Sequence, residues 1–409
     1  MKRKLFTAAF VVILSFYIVP AQAYENTPIG YASMPGNPND SNYYNEGGTT
    51  GGGNATPIIV TTTADFNAAA TSGLPAVIYV QGDLTVGEVR LGSDKTIIGI
   101  DPNATLRGDI SIFNEVHNII IRNLYIRNDS GAGESDCITM KATGDSQPPP
   151  HHVWVDHCNL YNSTDGIFDI TQRSDYVTVS WCKFYYTSTT VNPSHRFTNL
   201  IGASDNDPCD AGHLRVTFHH NWWGNLCDQR MPRVRFGQVH IYNNYYGCSG
   251  NTYCIGVGKE SQLRVENNYF DDVETAWRDP ASTPGKIGWN TGNVFVSTSI
   301  PTTFPNDYND PNKVFVPPYS YTLDDGANVK SLVTNGAGVD SNDFFPHWLF
   351  GPYGEFDHSG TVDMKDFSQF VDYWLVNDPN QIADADYNGD GIVNFYEFAL
   401  FAENWLKEP

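Results

Sequence analysis

From Ile58 onward the chain breaks into short apolar runs separated by turn residues. Val153-Trp154-Val155-Asp156-His157-Cys158 is followed 24 residues later by Val177-Thr178-Val179-Ser180-Trp181-Cys182. Runs beginning at Val216, Val239 and Leu263 then succeed one another at offsets of 23 and 24. Within each run β-branched and aromatic residues alternate with others, which predicts strands rather than helices because successive strand side chains face opposite sides. A degenerate repeat of this period predicts a solenoid of parallel strands in which each coil covers the apolar edge of the last. An antiparallel sandwich or barrel is the competing architecture. It needs strands every 8–12 residues or so joined by hairpins, and Asn-Gly and Asp-Gly turns between apolar runs are scarce here. Asn221, Asn244 and Asn268 fall at matching points of their runs, where side-chain amides would hydrogen-bond along the stack. Cys158 and Cys182 are also equivalent; stacking in the core and a disulfide both fit. Insertions at 128–150 and 187–212 interrupt the period, and on a solenoid such loops build a binding face.

The two ends read differently. Met1-Lys2-Arg3-Lys4, an apolar run from Leu5 to Val19 and Pro20-Ala21-Gln22-Ala23 have the order of a signal peptide over residues 1–23. That run is shorter than the roughly 20 apolar residues of a membrane span, so export is expected, with a mature start near Tyr24 and no span. Residues 24–56 are rich in Gly, Asn, Thr and Pro and predict irregular structure. A large domain over 24–350 and a small one over 351–409 suit the length. In the latter, Phe367, Phe370, Val371, Trp374 and Leu375 fall at helical spacing, as do Phe398, Phe401, Ala402, Trp405 and Leu406.

A net charge of −22 argues against a nucleic-acid partner. It would also repel an anionic polymer, unless cations gather locally in a cleft. The seven cysteines lie between Cys137 and Cys254 with no C-x-x-C pair, so a zinc or thiol-redox site has little support. Export permits disulfides, but the odd count leaves a thiol over.

Asp386, Asn388, Asp390, Asn394 and Glu397, with Gly391 at the sixth position, fit a twelve-residue calcium loop, and Ile392 would add its carbonyl. A weaker copy starts 31 residues upstream: Glu355, Asp357, Ser359, Gly360, Asp363 and Asp366. Two loop-plus-helix repeats after a larger domain resemble a type I dockerin, which implies a cohesin-type partner. Cohesin-binding dockerins often carry small hydroxyl residues at loop positions 10 and 11; here those are Met364-Lys365 and Phe395-Tyr396. Calcium binding is therefore the better supported half of that resemblance.

Three clusters in the solenoid could carry chemistry. Glu134 and Asp136 share one face of an extended strand, as do Asp165 and Asp169. If the two segments lie on neighbouring coils, four carboxylates converge and require a compensating cation or protons. Arg230-Met231-Pro232-Arg233-Val234-Arg235 places three cations within six residues, a local positive patch suited to the carboxylates of an acidic sugar chain.

Here a resemblance becomes specific. Val153–Cys158, Asp165-x-x-x-Asp169, His219-His220-Asn221, and Arg230-x-Pro-Arg-Val-Arg-Phe-Gly-Gln-Val-His240 with Tyr242-Asn243-Asn244-Tyr245 together resemble pectate lyase family 1. The likeness runs from about residue 30 to 345 and includes Lys95–Ile100. It implies an all-β, right-handed parallel β-helix that cleaves polygalacturonate by calcium-dependent β-elimination. It further implies Asp136, Asp165 and Asp169 as calcium ligands with Glu134 as another, Arg230 as general base, and Arg235, with Arg233 beside it, as substrate-binding. Trp154, Asp156, His157, His219 and His220 belong to the motifs but suit packing and buried hydrogen bonds better than chemistry. One departure stands out. Five residues before Gly202 the family usually has a substrate-binding Lys; here Phe197 occupies that position, and the adjacent Arg196 is the candidate substitute.

β-Elimination removes the C5 proton α to the C6 carboxylate, so calcium on that carboxylate would act as a Lewis acid and cations would stabilise the developing enolate-like charge. A guanidinium is a weak candidate base unless neighbouring cations favour its neutral form; orienting a hydroxide or stabilising charge are its other available roles. A β-helix hydrolase with paired carboxylates, a pectin lyase and a non-catalytic pectin-binding module are the alternatives.

Overall fold

The computed structural model describes residues 27–36, 47–129, 135–190, 192–281, 283, 285–301, 307–339, 364–374, 393, 398 and 401. All strand pairings within it are parallel, so the antiparallel alternative is excluded for these residues. The strands form one eleven-stranded and one fifteen-stranded sheet. The larger sheet turns a corner at the long strand Thr105–Phe113. Its first half pairs with Tyr125–Arg127 and its second half with Ile138–Lys141, so the sheet presents two faces.

The period seen in the sequence is the pitch of the solenoid. Val153, Val177, Val216, Val239, Leu263 and Ile287 are successive register partners and all are fully buried. Strand neighbours lie about 4.8 Å apart, so each inward column becomes a continuous apolar stack. Aromatic rings do the same: Phe184, Trp223, Tyr246, Phe270 and Phe295 stack at centroid distances of 5.5, 4.7, 4.4 and 5.3 Å.

The asparagine ladder forms as expected. The backbone N–H groups of Asn221, Asn244 and Asn268 donate to the side-chain carbonyls of Asn244, Asn268 and Asn293 at 2.8, 3.0 and 2.9 Å. This satisfies buried polar backbone at a corner that has no sheet partner. A neighbouring corner uses left-handed residues coil after coil: Asn123, His157, Trp181, His220, Asn243 and Asn267 all have φ near +50° to +60°. All seven cysteines are unpaired, and Cys158 and Cys182 pack in the core, so the stacking alternative holds there.

Near the C-terminus, helix Met364–Tyr373 buries Phe370 against Val393 and Phe401, with Phe367, Tyr373 and Trp374 alongside. The two apolar repeats of the sequence thus share one small core. Val371, expected in the buried stripe, is exposed; the stripe runs through Phe367, Phe370 and Trp374 and leaves Val371 at its edge. The signal-like segment 1–23, Glu134, and the loop residues Glu355, Asp357, Ser359, Asp363, Asp386, Asn388, Asp390, Ile392 and Glu397 lie outside the described residues. Asp366 is described and buried. No described helix is long and apolar enough to cross a membrane.

Candidate active site

One face of the larger sheet carries most of the predicted chemistry. Its strands Ile138–Lys141, Phe168–Ile170, Leu200–Ile201, Arg233–Val234, Ile255–Val257 and Trp277–Arg278 lie side by side. Ile170, Ile201, Val234 and Val257 point inward and are fully buried. The alternate positions therefore form the opposite column: Thr139 beside Asp169, Leu200 beside Arg233, then Gly256 and Arg278.

The carboxylates gather at one end of this face. Gly166 N–H donates to Asp136 Oδ1 at 2.8 Å. A Cβ on Gly166 would fall 2.7 Å from Asp169 Oδ1 and 3.0 Å from Asp136 Oδ1, so only glycine lets both carboxylates close over this turn. Asp169 Oδ1 also accepts from the Leu200 N–H at 3.2 Å. Asp165 lies near enough to raise the pKa of both Asp136 and Asp169 by repulsion, and His195 Nδ1 stands 3.6 Å from its Oδ1.

Sequence reasoning missed a further acid. Asp109, on the preceding coil, shares the Thr139 hydroxyl with Asp136, at 3.3 and 3.2 Å. One hydroxyl hydrogen cannot serve two carboxylates, and Asp109 Oδ1 is buried without a hydrogen-bond partner. Burial and mutual repulsion push Asp136 well above the usual carboxylate range. Burial lifts Asp169 to about 7, against the pull of Arg230 and with the push of Asp165. Burial lifts Asp109 to about 6, opposed by the Thr139 hydrogen bond. Lys141, also missed, lowers both values by its charge.

These acids are short of positive charge, and their donors are all hard oxygens of the kind calcium takes. Among the described residues no three acidic, histidine or cysteine side chains form a ready-made metal cluster. The donor chemistry and the crowding over Gly166 nonetheless fit a hard cation.

The arginines lie on the next coils. Arg230 has φ of +65°, and its carbonyl accepts from the Asn199 N–H at 2.7 Å and from the Thr198 hydroxyl. Its guanidinium sits 4.1 Å from the centre of the Phe197 ring, which in turn stacks on His195 at 5.1 Å. Phe197, standing where the resemblance expects a lysine, is thus a platform for Arg230. Arg196 is not brought into this stack; its charge acts on the buried Cys227 thiol.

Arg230 and Arg233 make no ion pair among the described residues, and the Nε of each is buried without a hydrogen-bond partner. Burial, then the charge of Arg235, pushes Arg233 below its ordinary value. Arg235 is different: it is buried and donates to Asp205 Oδ1 at 2.6 Å and to the Gly202 carbonyl at 2.7 Å.

The motif residues read as structural prove so. Trp154 Nε1 donates to Ser180 Oγ at 2.8 Å, and Ser180 donates to Asp156 Oδ1 at 2.6 Å. His157 Nδ1 lies 2.7 Å from Asp156 Oδ2. His219 and His220 are buried, with ring nitrogens 2.9 Å apart, and His220 Nε2 reaches Asp324 at 2.7 Å.

Comparison with known proteins bears on this face as a whole. The profile of a family described as pectate lyase matches residues 39–342. A pectate trisaccharide-lyase of Bacillus licheniformis is 36% identical over 320 residues, covering 72% of this chain and 84% of the relative. A probable pectate lyase A of Aspergillus niger is 34% identical over 325 residues, covering 76% and 86%. Among solved structures, a pectate lyase from Bacillus sp. N165 in complex with trigalacturonate matches with TM-score 0.59 and 28% identity, covering 76% of this chain and 98% of that one.

Proposed function

The chain belongs to the pectate lyase family, and from that premise we propose that it cleaves polygalacturonate by calcium-assisted β-elimination to 4,5-unsaturated oligogalacturonides. It is a polysaccharide lyase. The observation that carries the detail is the juxtaposition along one sheet face of crowded Asp136 and Asp169, both raised above the usual carboxylate range, with Arg230 and Arg233, which make no ion pair among the described residues.

Asp136, Asp165 and Asp169, with Glu134 two residues earlier in sequence than Asp136, are the residues that would hold calcium. Bound calcium would draw charge off the substrate's C6 carboxylate and acidify the adjacent C5–H. Arg230 acts on Asp169 by its charge and lies against the Phe197 ring; in this reading its role is to take the C5 proton. Arg233, which has no carboxylate partner among the described residues, supplies a positive field for the developing charge and a fork for a uronate carboxylate. Arg235 is engaged by Asp205, and its charge acts on Arg233. Arg196 remains the candidate substitute for the missing lysine, as a substrate-binding cation beside Phe197.

Incubation with polygalacturonate, with and without a chelator, tests the reaction class. Ultraviolet-absorbing unsaturated ends that vanish on chelation and return with calcium are expected. Saturated reducing ends would mean a hydrolase, and no new ends a binding module. Highly methylated pectin should react more slowly, because its esters remove the carboxylate that calcium grips; equal rates would mean a pectin lyase.

Residues 351–409 are proposed as a calcium-binding, dockerin-like module on an exported protein, with a cohesin-type scaffold or cell-surface partner. Support comes from the two calcium-loop patterns and from the shared core of Phe370, Val393 and Phe401. Calcium should increase the helical circular dichroism of the full chain, and replacing Asp386 and Glu397 with Ala should abolish that increment. An unchanged increment would remove the module reading.

A further inference from the structure

We propose that Arg278 is a substrate-binding residue that extends the uronate-binding face two coils beyond Arg233, an inference that rests on the polyuronate reading above. Arg233, Gly256 and Arg278 are successive register partners in one column of the sheet. Gly256 adds no side chain to the middle of that column, and the Arg233 stem and the Tyr253 ring lie over it. A Cβ there would fall 2.9 Å from Arg233 Cγ and 3.1 Å from Tyr253 Cε2, so any larger residue would push the flanking arginine aside. The column therefore reads cation, glycine, cation.

Two strand spacings separate the arginines by roughly 10 Å. That is the spacing of their backbones, so the two side chains can reach different carboxylates of a chain running along the solenoid axis. Arg278 is exposed, and no described residue forms an ion pair with it. In a chain with 46 acidic and 24 basic residues, an unneutralised arginine in line with another is poised for an external anion.

Tyr253 holds the arrangement. Its ring is fully buried and lies 4.8 Å from the Arg278 guanidinium. Its hydroxyl is buried without a hydrogen-bond partner, while Arg233, Arg230 and Arg278 all act on it electrostatically. Tyr253 thus lies within the field of arginines from two coils, and the cation–π contact orients Arg278 without neutralising it. The carboxylate cluster lies at the opposite end of the same column, so Arg278 would hold the sugar chain on the far side of the arginine patch.

The test is retardation of the intact protein in native gels containing polygalacturonate, against gels containing a neutral glucan, with calcium chelated so that the chain is bound but not cut. Arg278→Ala is expected to weaken retention by polygalacturonate by about tenfold in apparent Kd, the scale of one charge-assisted contact. Arg278→Lys should restore part of it, and the neutral gel should not distinguish the three proteins. Equal retention of Arg278→Ala and wild type overturns the proposal, as does a wild type that polygalacturonate does not retard. The gel reads binding alone, so the elimination reading fails separately, by the absence of unsaturated ends from wild type with calcium.

Discussion

Two aspartates on this solenoid have opposite fates. Asp156 sits among Ser180, His157 and Arg122 at 2.6, 2.7 and 3.2 Å. Burial pushes its pKa up, but His157 and Arg122 outweigh burial and hold it below the usual range. Asp169 is less enclosed, yet desolvation carries it up to about 7, with Asp165 repelling it and Arg230 compensating only in part. One region closes its charges on themselves and the other leaves them open. A closed network specifies a fold. An open one stores a demand that a cation, a proton or a polyanionic ligand can meet.

The comparison breaks most visibly at Asp156. Asp156→Ala would leave Arg122 and His157 buried without their acid, at a loss of about 3–5 kcal/mol of stability in denaturant unfolding. The lyase rate per folded molecule should stay near wild type; a lost rate in a protein of unchanged stability would move Asp156 into the active site.

Asp169→Ala sharpens the other side. It should weaken calcium binding by calorimetry at least tenfold or so, with activity partly recovered at high calcium, and it should not lower the thermal stability of the calcium-free protein. A large loss of that stability would mean that Asp169 is a paired structural acid like Asp156.

The smallest effect is on pH. Asp169, and Asp109 at about 6, hold protons in the folded chain that the unfolded chain releases near 3.8. Calcium-free stability should therefore fall as pH rises from about 4 through 7. The lowered Asp156 acts oppositely, stabilising above the unfolded value and losing that contribution only in stronger acid. Calcium must displace the Asp169 proton, so its affinity should rise about tenfold between about pH 6 and pH 8. A flat affinity would mean that Asp169 is already ionised at neutrality.

What the sequence disclosed follows from what a repeat can encode. The period of 23–24 residues, the asparagine ladder and the outward-facing Asp169 and Arg233 were legible because each lies at a fixed phase of a coil. Asp136 and Asp165 were legible because motif spacing fixes them. Asp109 was not: it reaches Asp136 through the bend in strand Thr105–Phe113 and a shared Thr139 hydroxyl, and no local pattern announces such a bend. The division between Arg233 and Arg235 was hidden for a similar reason. Asp205, which engages Arg235, comes from the 187–212 insertion, where the repeat gives no register. Phe197 read as a missing lysine, and only its place between His195 and Arg230 makes it a platform.

The central claim is that Arg230 carries the proton transfer in the open region. Its most direct test is the single-turnover rate of unsaturated-product formation by Arg230→Lys at saturating calcium, on protein whose calcium affinity and unfolding midpoint match wild type. The account predicts a fall of roughly 10²–10⁴-fold, the contribution of a positioned base, because lysine keeps the charge but loses the planar fork held over Phe197. A near-normal rate would contradict it and assign proton removal to another group.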